Sequence, residues 1–235
     1  MKLGINSIYR ATEGEGIHIG ESQMFVRFQG CNIGCLNCDS KDTWDFSAAQ
    51  MLDLEDVLNK IEELSKTDYF PLKRVSITGG DPLHPKHEES VLSLVKALKQ
   101  QDYYINIEAS GSRICDEIFN LVDFISFDFK TPSTGVQTSL TLVEKALVDY
   151  HGKIQIKSVI ASDHDFYYTQ EAFEEISKNI EIKDPWCLTP AYTPGEEFTT
   201  NFFSKVLVLN QQVGGKFKVI GQQHKWVYGA DKKQV

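Results

Sequence analysis

The stretch Met24-Phe25-Val26-Arg27-Phe28-Gln29-Gly30-Cys31-Asn32-Ile33-Gly34-Cys35-Leu36-Asn37-Cys38-Asp39-Ser40 joins a β-prone run directly to three thiols spaced C-x3-C-x2-C. Residues 24–28 read as a strand, and the thiols follow at its end. Three thiolates in one loop can cover one face of an iron–sulfur cubane. A cluster that only transfers electrons usually takes four. Three leave one iron open to a small molecule, much as a catalytic zinc keeps an open position. Gly30 and Gly34 let the backbone turn tightly around such a group. The alternatives are a structural zinc site, which prefers four ligands in paired knuckles, and cysteines without metal.

Working outward, apolar runs at 74–78, 103–108, 124–127, 153–160, 186–189 and 216–220 read as further strands. Between them lie stretches with helical periodicity. Leu54, Val57, Leu58, Ile61 and Leu64 share one face of 53–65, and Val91, Leu94, Val95 and Leu98 share one face of 88–101. Further helices are expected over 140–150, 167–179 and 199–211, with a weaker one over 114–121. This alternation implies a parallel sheet covered by helices. About six β/α units are too few for a closed eight-fold barrel. The expected fold is α/β, an open partial (β/α)6 TIM-like barrel, with a doubly wound sheet as the alternative. Both place a site at the carboxyl ends of the strands.

The strand ends carry matched polar groups. The strand at 74–78 ends in Thr78-Gly79-Gly80-Asp81-Pro82, whose glycines allow backbone to lie against a ligand. The next ends in Glu108-Ala109-Ser110, where Glu108 serves a ligand or caps the following helix. The next ends in Asp128-Phe129-Lys130, and a Lys directly after an apolar strand calls for an anionic partner. Four consecutive strand ends with such groups point to one shared site.

The chain has 235 residues, 41% hydrophobic and 24% charged, with a net charge of −9. That composition excludes wholesale disorder and low-complexity classes. No apolar run nears the ~20 residues of a membrane helix, and MKLGINSIYR has no secretory h-region. A cytoplasmic protein is expected. The acidic balance argues against a nucleic acid as direct partner. Five cysteines, an odd number with three clustered, do not suit a disulfide scaffold. Cys115 and Cys187 read as core thiols. His84 and His87 read as solvent-exposed rather than as a metal pair. Gly14-Glu15-Gly16-Ile17-His18-Ile19-Gly20 precedes the first clear strand, so it is not a dinucleotide-binding loop.

The cysteine spacing resembles the radical S-adenosylmethionine (SAM) superfamily, whose members bind a [4Fe–4S] cluster through such a triad and chelate SAM at the fourth iron. Gly79-Gly80-Asp81-Pro82 resembles the superfamily's G-G-E-P motif, with Asp for Glu. Asn37 stands where an aromatic residue is usual. Tyr9-Arg10-Ala11-Thr12-Glu13-Gly14-Glu15-Gly16, Cys38-Asp39-Ser40, Lys130-Thr131-Pro132-Ser133-Thr134-Gly135 and Gln223-His224-Lys225 narrow the likeness, over nearly the whole chain, to the 7-carboxy-7-deazaguanine synthases. A glycyl-radical-enzyme activase, which shares the cysteine spacing, is the alternative.

The resemblance implies a single radical SAM domain over 1–235, with an N-terminal substrate turn and a C-terminal extension. It implies a carboxypterin substrate contracted to 7-carboxy-7-deazaguanine with release of ammonia, as a step of queuosine biosynthesis. SAM, a [4Fe–4S] cluster and Mg2+ are the implied cofactors. A flavodoxin- or ferredoxin-type electron donor and a homodimer are also implied. By the same resemblance Cys31, Cys35 and Cys38 hold the cluster and Ser40 holds Mg2+. Thr12, Glu13, Gly14, Arg27 and Thr78 bind substrate. Asn37, Cys38, Asp39, Gly80, Glu108, Ser110, Asp128, Phe129 and Lys130 bind SAM.

Overall fold

The computed structural model describes residues 1–192, 200–229 and 232–235. Nine strands form one sheet: β1 (Lys2–Thr12), β2 (Ser22–Phe28), β3 (Gln50–Asp53), β4 (Arg74–Gly79), β5 (Tyr104–Ala109), β6 (Phe124–Asp128), β7 (Ile154–Ile160), β8 (Trp186–Pro190) and β9 (Lys218–Val219). Their order is β3-β1-β2-β4-β5-β6-β7-β8-β9. From β2 onward the neighbours are parallel, whereas β1 pairs antiparallel with both β2 and β3. The sheet does not close, since β3 and β9 are its edges. This is the open partial barrel that the alternation implied.

The described residues also form seven α-helices: α1 (Leu54–Ser65), α2 (Glu88–Lys99), α3 (Asp116–Leu121), α4 (Leu140–Asp149), α5 (Asp163–Ser177), α6 (Thr200–Gln212) and α7 (Gln223–Tyr228). Each crossover helix turns an apolar stripe to the sheet. In α2, Val91, Leu94, Val95 and Leu98 are buried, with Glu88 and Glu89 in the first turn and Lys96 and Lys99 in the last. Helix α5 begins four residues before the expected 167, because Ser162 caps it by accepting from the Asp165 amide. The expected start of α6 at residue 199 lies outside the described residues.

Three elements escaped the sequence reading: β1, β3 and α7. Strand β1 shifts register between Ile5 and Ser7, which breaks the alternation a strand normally displays. Its presence corrects one reading. Gly14 to Gly20 does follow a strand, as the loop of the β1–β2 hairpin, but another strand follows it instead of a helix. The dinucleotide-loop reading therefore fails for a different reason.

The two faces of the parallel sheet differ. Val75, Ile77, Ile105, Ile107, Ile125, Phe127, Ile154 and Ile156 point to the helices and form the core. The alternate residues, Ser76, Asn106, Glu108, Ser126, Asp128, Gln155 and Lys157, lie side by side on the inner face. A parallel strand buried on both faces is ordinarily apolar throughout. Here the inner face is polar and the β1–β2 hairpin loop lies against it. The Ile17 amide donates to Gln155 Oε1 at 2.9 Å, and His18 sits edge-on to Phe124 at 4.3 Å.

Candidate active site at the strand ends

The cysteine loop leaves β2 and is anchored on both flanks. Gly30 N–H donates to Thr43 O at 2.7 Å, Cys31 N–H to Trp44 O, and Leu36 N–H to Thr134 O at 2.8 Å. Cys31, Cys35 and Cys38 are half-buried free thiols. Burial pushes the Cys31 and Cys35 thiols up, Cys38 raises both further, and Cys35 also raises Cys31. The Lys130 ammonium counteracts this at Cys35. Backbone amides already point at sulfur: Ile33 N–H to Cys31 Sγ and Ser40 N–H to Cys38 Sγ, both 3.4 Å. Such N–H···S bonds tune iron–sulfur potentials. Among the described residues no three His, Cys, Asp or Glu side chains gather as ligands of one ion. Sulfurs that bind three different irons of a cubane need no such convergence.

The Gly79-Gly80 turn lies against this loop. Gly80 N–H donates to Phe28 O and Asp81 N–H to Gly30 O. A side chain at Gly80 would place its Cβ 2.5 Å from Gly30 O and 2.8 Å from Cys31 Cβ. The absence of a side chain at Gly80 thus lets the turn pack directly on the start of the cysteine loop. Asp81 itself is buried and accepts from Leu83 N–H and Ser110 Oγ, each at 3.2 Å. It braces the turn, and Ser110 is tied to it.

The inner face beyond the thiols is built from charges. Lys157 Nζ lies 3.1 Å from Glu108, 3.3 Å from Glu15 and 3.6 Å from Asp128. Asp128 also pairs with Lys130 at 2.6 Å. Burial opposes charging of Lys157, but Glu108, Asp128, Glu15 and Glu13 together raise its pKa well above the usual lysine value. Glu13 accepts from the Gly14 amide at 3.0 Å and from Gln23 Nε2 at 2.7 Å. Burial and the carboxylates of Glu108 and Glu15 nevertheless push it up to about 7. Asn106 Oδ1 and Thr189 Oγ1 on this face are buried without a hydrogen-bond partner, an environment made for a polar ligand.

A second polar line runs along β1 and β2. Arg27 Nη2 donates to Tyr9 Oη at 3.2 Å and Nη1 to Ser40 Oγ at 3.4 Å, while Ser40 Oγ donates to Asp39. Thr78 is beside Arg27 in register, and Thr12 ends the hairpin ladder opposite Ser22. Burial would raise the Asp39 carboxyl, but Lys225, Ser40 and Arg27 hold it below its usual value.

Several expectations need amendment. Phe129 points away from the site: its ring is buried in the core, stacked on Tyr168 and edge-on to Trp186. Only its backbone can reach a ligand. Asn37 is exposed. Lys130 finds its anion within the chain, in Asp128. Glu108 caps no helix; Cys115 occupies the N-cap position of α3. His87 is not solvent-exposed: it is 5% exposed, and its Nδ1 hydrogen-bonds Asp81 O, whereas His84 is partly exposed; both pack on Phe46. Cys115 and Cys187 are buried as expected, although Cys187 lies on the inner face beside Gln155.

Lys157 and Gln155 carry no expectation from the sequence, and Glu15 and Gln223-His224-Lys225, which belong to the motifs of the resemblance, carry no assigned site role there. Gln222 Nε2 donates to Glu15 at 2.6 Å, Gln223 N–H donates to Gly14 O, and the His224 ring fills the space a Gly14 side chain would need. The signal was present in Ile154-Gln155-Ile156-Lys157, where polar residues alternate inside an otherwise apolar strand.

A model of the 4Fe-4S single cluster domain matches residues 12–124. The 7-carboxy-7-deazaguanine synthase of Bacillus cereus is 31% identical over 182 residues, covering 75% of this chain and 74% of that protein. The synthase of Buchnera aphidicola is 30% identical over 190 residues, covering 75% and 80%. The chain belongs to the 7-carboxy-7-deazaguanine synthase family. As a member of this family it is a radical SAM enzyme with a [4Fe–4S] cluster. The fold of the 7-carboxy-7-deazaguanine synthase family agrees: QueE from Escherichia coli superposes with a TM-score of 0.68 over 95% of both chains at 22% identity. Streptococcus suis SuiB shares the fold more distantly, with a TM-score of 0.53 over 88% of this chain and 51% of that one.

Proposed function

We propose that this chain converts 6-carboxy-5,6,7,8-tetrahydropterin to 7-carboxy-7-deazaguanine with release of ammonia, a step toward queuosine and other 7-deazapurines, with SAM regenerated at each turnover. The observation that carries this reading is the meeting, at one mouth of the open barrel, of the three-thiol loop, the Glu108, Asp128 and Lys130 strand ends, and the Glu13 hairpin turn. When bound, the cluster supplies the single electron that cleaves SAM reductively.

The protein's own residues orient and exclude water. Cys31, Cys35 and Cys38 would hold the cluster, with Gly80 backbone beside it. Asn37, Cys38, Asp39, Glu108, Ser110, Asp128, Lys130 and the Phe129 backbone would line the SAM position. Lys130 keeps its charge beside Cys35, where an anionic cluster or a SAM carboxylate benefits from it. Arg27, a planar fork at the end of β2, suits the substrate carboxylate. Thr12, Glu13, Gly14 and Thr78 complete the substrate contacts. The Ser40 hydroxyl, with substrate oxygens and water, would bind Mg2+.

The reading extends to one radical SAM domain over 1–235, a homodimer, a flavodoxin- or ferredoxin-type reductant and a cytoplasmic setting. Among the described residues no helix is long and apolar enough to cross a membrane.

The test is anaerobic reconstitution with iron and sulfide, then dithionite, SAM, Mg2+ and the carboxypterin. Deazapurine formation without net loss of SAM is expected. Alanine at Cys31, Cys35 or Cys38 should remove the iron chromophore and the activity together, whereas C115A should keep both. Stoichiometric zinc without iron, or a radical formed only on another protein's glycine, would overturn the proposal.

A further inference from the structure

The inner face of β7 contributes two residues that grip the β1–β2 hairpin loop. Gln155 Oε1 accepts from the Ile17 amide, and Gln155 fills the space beside Gly16 that a side chain there would need. Two residues further toward the strand end, Lys157 meets Glu15 on that loop, Glu108 on β5 and Asp128 on β6, all within 3.6 Å of one nitrogen. An ammonium with carboxylates from three separate elements is a clamp, because neutralising it strands buried like charges beside one another. We propose that Lys157 is a positioning residue that fixes the substrate turn at Thr12, Glu13 and Gly14 against the SAM-lining strand ends, through its joint contacts with the adjoining Glu15 and with Glu108 and Asp128.

This inference rests on the reading of Thr12, Glu13 and Gly14 as the substrate turn, but its geometry does not. The charged and titratable groups facing Lys157 are Glu13 and Glu15 from the hairpin loop, Glu108 from β5, Asp128 from β6 and Cys187 from β8. Lys130 and Asp39 act from farther off. Glu13 is the reporter. It faces Glu15 and Glu108, which raise it, Lys157, which lowers it, and neutral Gln23. Loss of the ammonium must therefore raise the Glu13 carboxyl further, whereas loosened packing that exposed it to water would lower it toward the ordinary carboxylate range.

The experiment compares native chain, K157M and K157R, with K157Q in place of K157M should that variant not fold. Carboxyl NMR of the apo-protein, with the Glu13 resonance assigned through E13Q, gives the Glu13 midpoint. The expected midpoint is about 7 in the native chain, higher in K157M and restored in K157R. In the reconstituted enzyme, K157M should raise KM for the carboxypterin roughly 30-fold or more, as truncating one partner of a buried charge pair does, with a smaller fall in kcat. K157R should recover most of that loss. An unchanged or lowered Glu13 midpoint in a folded K157M, or an unchanged KM, overturns the inference. If the native chain does not turn over the carboxypterin, the proposed function fails while the titration still decides the role of Lys157.

Discussion

At the residue scale the site holds a carboxyl that works against the fold. Glu13 sits at about 7 because burial and two neighbouring carboxylates outweigh Lys157 and the Gln23 amide. Its folded pKa is above its unfolded one, so the native state binds the extra proton. Stability is then greatest at acid pH and falls as pH rises from the ordinary carboxylate range toward 7. E13Q removes that loss. Its unfolding free energy from urea melts at pH 8 should exceed that of the native chain by ~1 kcal/mol or more, and the gap should vanish near pH 4. The carboxypterin KM should rise in the same variant, marking a residue kept for binding at a cost in stability. The sequence located Glu13 through its Tyr9–Gly16 motif. The alternation in Ile154-Gln155-Ile156-Lys157 marks a polar inner face, but it does not say what Lys157 meets there, because its partners come from three distant elements.

At the scale of elements, the parallel strands and their helices were legible because each carries its own pattern. Strands β2 and β4 to β8 hold apolar residues at every second position, and α1, α2 and α4 hold them at helical spacing. Strand β1 was not legible, since its bulge interrupts the alternation, and β3 is too short to show any. The start of α5 was hidden for another reason: its capping group is a network. Asp165 is fully buried and accepts from Ser133 N–H at 2.9 Å, Ser133 Oγ at 2.6 Å, Ala161 N–H at 2.9 Å and Ser162 Oγ at 3.1 Å. It thereby fastens the loop after β6 to the first turn of α5. Burial raises its carboxyl, but these donors outweigh burial and hold it below its usual value. The stabilisation is therefore present above the unfolded carboxylate pKa and is lost as pH falls through the lowered folded value. D165A should cost ~3 kcal/mol at pH 7, since it strands four donors. The difference from the native chain should shrink below pH 4 in denaturant melts; a constant difference across pH would show that the carboxylate charge plays no part.

At the scale of the whole molecule, an open barrel must protect a gap that a closed one does not have. The hairpin loop fills it from one side, and the segment after β9 holds that loop from outside. Gln222 bonds Glu15, Gln223 N–H bonds Gly14 O, Lys225 lies 3.9 Å from Asp39, and Lys233 reaches Asp42 at 2.7 Å. These contacts join the end of the chain to the hairpin turn and to the cysteine loop, and none of them contributes to the apolar core. Truncation after Ile220 should therefore leave the cooperative melt nearly unchanged. The amides of Gly14, Glu15 and Ile17 should exchange faster with deuterium, because the turn loses its outer support while Gln155 and Lys157 still hold its inner side. The reconstituted truncation should keep its iron content, since Cys31, Cys35 and Cys38 stay anchored through Thr43, Trp44 and Thr134. Its carboxypterin KM should rise about tenfold or more, the loss expected when a pre-organised turn must be ordered on binding. Loss of iron from the truncated chain would mean instead that Lys225 and Lys233 hold the cysteine loop itself, and that the tail serves the cluster before it serves the substrate.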